Sequence, residues 1–117
     1  MYQFFLTEKD RKQRDHFPII SLINEACNID MMEFLSQICS GVGIGYNFSN
    51  CTFWNDLDDY EKKSIPQFDG VLVSTIAGEE VIATRDDILY YLGIALERME
   101  LTDAEKREIT SVFPLLS

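Results

Sequence analysis

The sequence predicts a single α+β domain in which helices at both ends flank a small, mainly antiparallel sheet. Three observations carry this expectation. Apolar residues recur at three- and four-residue intervals in the first and last thirds of the chain, two short β-rich runs meet around Gly78, and no repeat, low-complexity tract or linker interrupts the 117 residues. A chain of that length buries enough apolar surface to stand without disulfides or metals.

The elements follow in order. Glu8 to Asp15 mixes Lys9, Arg11, Lys12 and Arg14 with three acids and reads as a solvated helix face or loop. Pro18 suits a first helical turn, and Ile19, Ile20, Leu22, Ile23, Ala26 and Cys27 form an apolar helix that stops near Asn28. Asp30 and Glu33 have capping-box spacing and open a second helix through Phe34, Leu35 and Ile38, ending at Ser40-Gly41. Three glycines between Gly41 and Gly45 exclude further helix and predict a turn in which the chain passes close over a neighbour, leading into an extended segment through Trp54.

After a turn at Ile65-Pro66, Gly70–Ile76 and Glu80–Thr84 are the arms of a predicted β-hairpin. Thr84 with Asp87 caps the best-defined helix, whose stripe is Ile88, Leu92, Ala95, Leu96 and Met99. Within it one ring of Tyr90-Tyr91 is expected to face the core and the other the edge. Thr102 with Glu105 opens a last helix with Ile109, Val112 and Phe113 on its buried face, halted by Pro114.

Net charge is −10 and pI about 4.4, which argues against direct binding of nucleic acid through its phosphates, since each such contact needs a Lys or Arg. A cationic protein is the expected partner. Cys27, Cys39 and Cys51 form no C-x-x-C pair and have only His16 as a potential nitrogen ligand, so neither zinc nor any other cofactor is expected. Thiols in apolar helical patterns suit a reducing compartment, and the opening residues lack the basic start of a signal peptide; with no membrane span, the expectation is cytoplasmic. The sequons at Asn47 and Asn50 then have no use.

Catalytic motifs fail in turn. The Gly41, Gly43, Gly45 run follows a helix rather than a strand, which is the wrong context for a dinucleotide fingerprint. Asp56 and Asp58 start like a calcium loop, but Glu61 stands where glycine is needed and Gln67 where a bidentate Glu belongs. His16, the sole histidine, has no nucleophile motif beside it and reads as a surface or helix-start residue. No catalytic residue is assigned.

What stands out is charge and aromaticity together. Between Arg14 and Lys62 there is no Lys or Arg, yet the interval carries eight carboxylates, half of them in Phe53-Trp54-Asn55-Asp56-Leu57-Asp58-Asp59-Tyr60-Glu61. Phe53 is expected in the core. Trp54 and Tyr60 beside Asp56, Asp58, Asp59 and Glu61 would combine aromatic anchors with carboxylates that accept bidentate Arg hydrogen bonds, a recognition surface for a basic protein.

The succession Gly41-Val-Gly-Ile-Gly-Tyr, Cys51-Thr-Phe-Trp-Asn-Asp-Leu-Asp-Asp-Tyr-Glu61, Phe68-Asp-Gly-Val71 and Glu79-Glu-Val-Ile-Ala resembles immunity proteins of contact-dependent growth inhibition systems, more narrowly those protecting against ribonuclease toxins. The resemblance spans roughly Leu35 to Met99. It implies a non-catalytic bacterial inhibitor that binds the C-terminal nuclease domain of a delivered effector, with Asp56, Asp58, Asp59 and Glu61 joined by Asp69, Glu79 and Glu80 at the contact. Residues Met1 to Asp15 have no counterpart in it. The alternative is an acidic regulatory or nucleic-acid-mimicking interaction module; a metal-dependent hydrolase using surface carboxylates ranks third. Oligomeric state stays open.

Overall fold

A computed structural model describes residues 2–112, and within it the side chains of Thr110 and Val112 are excepted. The expected Phe113 contact and Pro114 stop lie outside the described residues. The order of elements is α1 (Phe17–Ile29), α2 (Met31–Cys39), β1 (Ile44–Gly45), β2 (Ser49–Phe53), α3 (Asp59–Ser64), β3 (Val71–Thr75), β4 (Glu80–Ala83), α4 (Arg85–Arg98) and α5 (Asp103–Val112). The α+β class holds, with four antiparallel strands in the order β1-β2-β3-β4.

Register decides which side of the sheet is covered. Phe53 faces Val71 and Ala83 across the strands, and Cys51 faces Val73 and Val81, so the alternating positions Ser49, Cys51, Val71, Val73 and Ala83 are buried under the helices. The intervening rows, Asn50–Ser74–Glu80 and Thr52–Leu72–Ile82, point away from them, as expected of an antiparallel sheet wetted on one face.

Helix α1 packs against β2, β3, β4 and α4. Its Ile19, Leu22, Ile23 and Ala26 are fully buried, each large aliphatic contributing about 2 kcal/mol relative to exposure. From α4, Ile88, Tyr91, Leu92 and Ala95 complete the same core, while Leu96 and Met99 are half-buried at its margin. Tyr91 is the inward ring and Tyr90 the exposed one, as the sequence suggests. Ile109 is the buried residue of α5, which leans on α2. None of the described helices is long and apolar enough to cross a membrane.

The caps form as their spacing predicts. Asp30 accepts from the Glu33 N–H at 3.0 Å. The pairs Thr84/Asp87 and Thr102/Glu105 bond reciprocally. Gly41 ends α2 at φ +69, a left-handed conformation that favours glycine.

Two expectations need correction, the end of the extended segment and the burial of His16. The extended segment ends at Phe53 because Trp54–Asp56 is a 3-10 turn closed by Asp56. The mixed-charge stretch is largely exposed, as expected, and holds two 3-10 turns, Glu8–Asp10 and Arg14–His16. It is tied down: Asp10 takes a bidentate pair from Arg98 at 2.8 and 2.9 Å, which lowers its carboxyl to about 2. His16 does start α1, but it is buried rather than on the surface. Its Nδ1 lies 2.8 Å from the Tyr91 hydroxyl, which accepts from the Lys12 N–H, and its Nε2 faces Asp87 at 3.9 Å. The partner that buries it lies 75 residues downstream.

Candidate partner-binding surface

The acidic aromatic segment folds as a 3-10 turn followed directly by α3, and its own carboxylates organise it. Asp56 Oδ2 accepts from Phe53 N–H at 2.7 Å, closing the turn, and from Gly43 N–H at 2.9 Å, fastening the turn to the glycine run. Asp58 caps α3 by accepting from Glu61 N–H at 2.7 Å, and Glu61 returns the bond to Asp58 N–H at 3.1 Å. The close passage expected of the glycines belongs to Gly43. A Cβ there would sit 2.3 Å from the Cys51 carbonyl and 2.8 Å from Asp56 Oδ2, so no larger residue fits.

Tyr60 and Asp59 project outward from α3, Tyr60 with 80% of its surface exposed. Trp54 is half-buried, edge-on to Phe68 with ring centroids 5.5 Å apart, and the Lys62 ammonium lies 5.9 Å from its ring centre. Trp54 is thus partly covered by Phe68 and Lys62. Lys62 and Lys63 in the last turn of α3 offset part of the charge of the four acids before them. Between the segment and the β1–β2 strands lies an open concavity of about 450 Å³ bordered by Asp56, Leu57 and Glu61 on one side and Gly45, Asn50 and Thr52 on the other. Asp56 and Glu61 give its lining a negative sign.

Asp69 precedes β3, between Phe68 and the Val71 that pairs with Phe53, so it shares the Trp54 end of the sheet. Glu79 and Glu80 do not. They stand at the β3–β4 turn and the start of β4, where Ser74 pairs with Glu80, at the far end of strands about 15 Å long. The structure therefore joins Trp54, Asp56, Asp58, Asp59, Tyr60, Glu61 and Asp69 and separates Glu79 and Glu80 from them.

Sequence reasoning missed what surrounds Glu79. Glu25, counted above among the carboxylates of the lysine-free interval, is 2% exposed. It accepts from the Phe48 N–H at 3.0 Å and from the Ser49 hydroxyl, fixing the β1–β2 connection. Asn24 and Asn28, one helical turn apart on α1, each bond both the N–H and the C=O of a residue in the N-terminal strand-like strap, Leu6 and Gln3 respectively. Asn24, Glu25 and Asn28, in a helix whose only other polar residue is Ser21, were the available signal.

The described residues thus form a small α+β domain that carries an acidic, partly aromatic face. Comparison of the chain with family models, curated proteins and solved structures finds no match.

Proposed function

We propose that the chain is a toxin-neutralising immunity protein that binds the C-terminal ribonuclease domain of a contact-dependent growth inhibition effector and blocks it, with no catalytic activity of its own. The supporting observation is the surface at the Trp54 end: Asp56, Asp58 and Glu61 fix a capped turn from which Asp59 and Tyr60 project beside a concavity of matching sign. A nuclease holds phosphates in a cationic cleft, and a rigid acidic frame is complementary to such a cleft. Attraction between the two steers capture at up to about 10⁸ to 10⁹ M⁻¹s⁻¹ at low salt.

Action in the cytoplasm agrees with the thiols of Cys27 and Cys51, neither of which is in a disulfide. Burial pushes Cys27 up to about 12 and Cys51 up to about 11, which leaves both as unreactive thiols near neutral pH.

The test is co-purification with the domain encoded immediately upstream, at low and at high salt. A one-to-one complex that weakens as salt rises is the expected result. A stable folded chain that captures no nuclease domain returns the acidic regulatory module to first place.

A further inference from the structure

Four exposed apolar side chains converge at the end of the sheet remote from Trp54: Tyr2, Phe4, Phe48 and Ile76, the last with 73% of its surface in solvent and Phe4 with 72%. Together with Phe17 and the turn to Glu79 they line a groove of about 480 Å³. Past Phe4 it continues into a recess of about 280 Å³ between the strap and α1, edged by Glu8. Scattered single hydrophobes on a surface need no explanation, but contiguous ones mark contact sites.

The groove is held rigid from beneath. Asn24 and Asn28 fasten the strap on both sides of Phe4. Glu25 holds the Phe48 N–H, and the Phe48 carbonyl accepts from Ile76 N–H at 2.9 Å, which ties the loop to the turn beyond β3. Gly78, at φ +91, closes that turn. Tyr2 and Phe4 pack edge to face with centroids 5.0 Å apart. A buried carboxylate costs several kcal/mol unless it is fully hydrogen-bonded, and here its bonds serve to fix a backbone whose ring points into water. Rings held in place before contact lose little entropy on binding.

We propose that this groove is the apolar anchor of the toxin contact, taking an apolar side chain of the basic nuclease domain flanked by Lys or Arg. The proposal rests on the function inferred above and moves the strongest contact from the Trp54 end to the Phe48 end. Charge selects the occupant. Glu8 and Glu79 stand on the lining, and no Lys or Arg is among the residues that line either recess. A second copy, itself at −10, would bring acidic rims face to face. This role also gives Glu79 a place at the contact that the acidic segment does not share.

The experiment is calorimetric titration of the upstream-encoded nuclease domain into the wild-type chain, the Phe4→Ser/Ile76→Ser double variant, Glu79→Lys and Asp59→Lys, with melting curves and sedimentation of each. The double variant is expected to bind about thirtyfold or more weakly, and Glu79→Lys several-fold more weakly, with melting unchanged because these side chains are exposed. Should the double variant melt early, Glu79→Lys decides alone. Wild-type binding with Glu79→Lys and the double variant within threefold of it overturns this inference and leaves the proposed function standing. Absence of any wild-type binding overturns both. A wild-type dimer that the double variant turns into a monomer makes the occupant a second copy and also overturns the inference.

Discussion

At the Trp54 end of the sheet exposed carboxylates hold the backbone, whereas at the Phe48 end buried polar side chains hold exposed rings. The first arrangement is local: Asp56 and Asp58 bond N–H groups three residues away, with Gly43 the one distant partner. The second is long-range, reaching 18 to 25 residues from α1 to the strap and to Phe48. Local caps are individually cheap to lose, because solvent replaces them. Buried brackets are not, because their removal strands donors away from water.

That difference orders the expected effects. Glu25→Ala should cost most, about 3 kcal/mol, since the Phe48 N–H and Ser49 hydroxyl lose their acceptor, a side chain only 2% exposed. For a domain of this size that is about a 12 °C fall in melting temperature, and Glu25→Gln, which keeps an acceptor, should recover part of it. A melting temperature unchanged by Glu25→Ala would erase the contrast between the two ends. Gly43→Ala comes next, at about 2 kcal/mol or more by urea unfolding, because a Cβ 2.3 Å from a backbone carbonyl forces the glycine run away from β2.

Asp58→Ala should cost only about 1 kcal/mol, the loss of one exposed cap. A cost equal to that of Glu25→Ala would mean that the acidic end is the more tightly built. Asp59→Lys, with no hydrogen bond of its own among those described, should leave stability within about 0.5 kcal/mol. It should instead slow association with the nuclease domain, most visibly at low salt in stopped-flow mixing.

Acid sharpens the contrast from the other side. Arg98 clasps both Asp10 and the Phe5 carbonyl, so it fastens the far end of the strap. The Asp10 carboxyl lies at about 2 in the folded chain against 3.8 without its partners, so the unfolded chain binds the proton more readily. The stabilisation it supplies is complete above about pH 4 and disappears as pH falls toward 2. Arg98→Met should remove the larger part of that acid-dependent component and leave the part held by Thr7, read as a shallower loss of stability between those limits.

The helices with an apolar stripe were legible in the sequence because periodicity and capping boxes agree there. Asp30/Glu33, Thr84/Asp87 and Thr102/Glu105 each mark a helix start that the structure reproduces. Asp58/Glu61 has the same spacing, yet α3 goes unread because none of its residues is buried and no periodic stripe supports the cap. The two-residue β1 escapes for a similar reason, since Ile44 and Gly45 alone give no strand signal. Burial of His16 and Glu25 depends on partners 75 and 24 residues away, which local pattern does not encode. The acidic surface was legible as composition; the separation of Glu79 and Glu80 from it follows from strand direction, and the groove from the strap that crosses α1.

The most direct measurement is RNA cleavage by the upstream-encoded nuclease domain, titrated with the wild-type chain at two salt concentrations. Cleavage should fall to background at one equivalent and need more inhibitor at high salt. Undiminished cleavage at a large excess of folded chain would contradict the inhibitor reading outright.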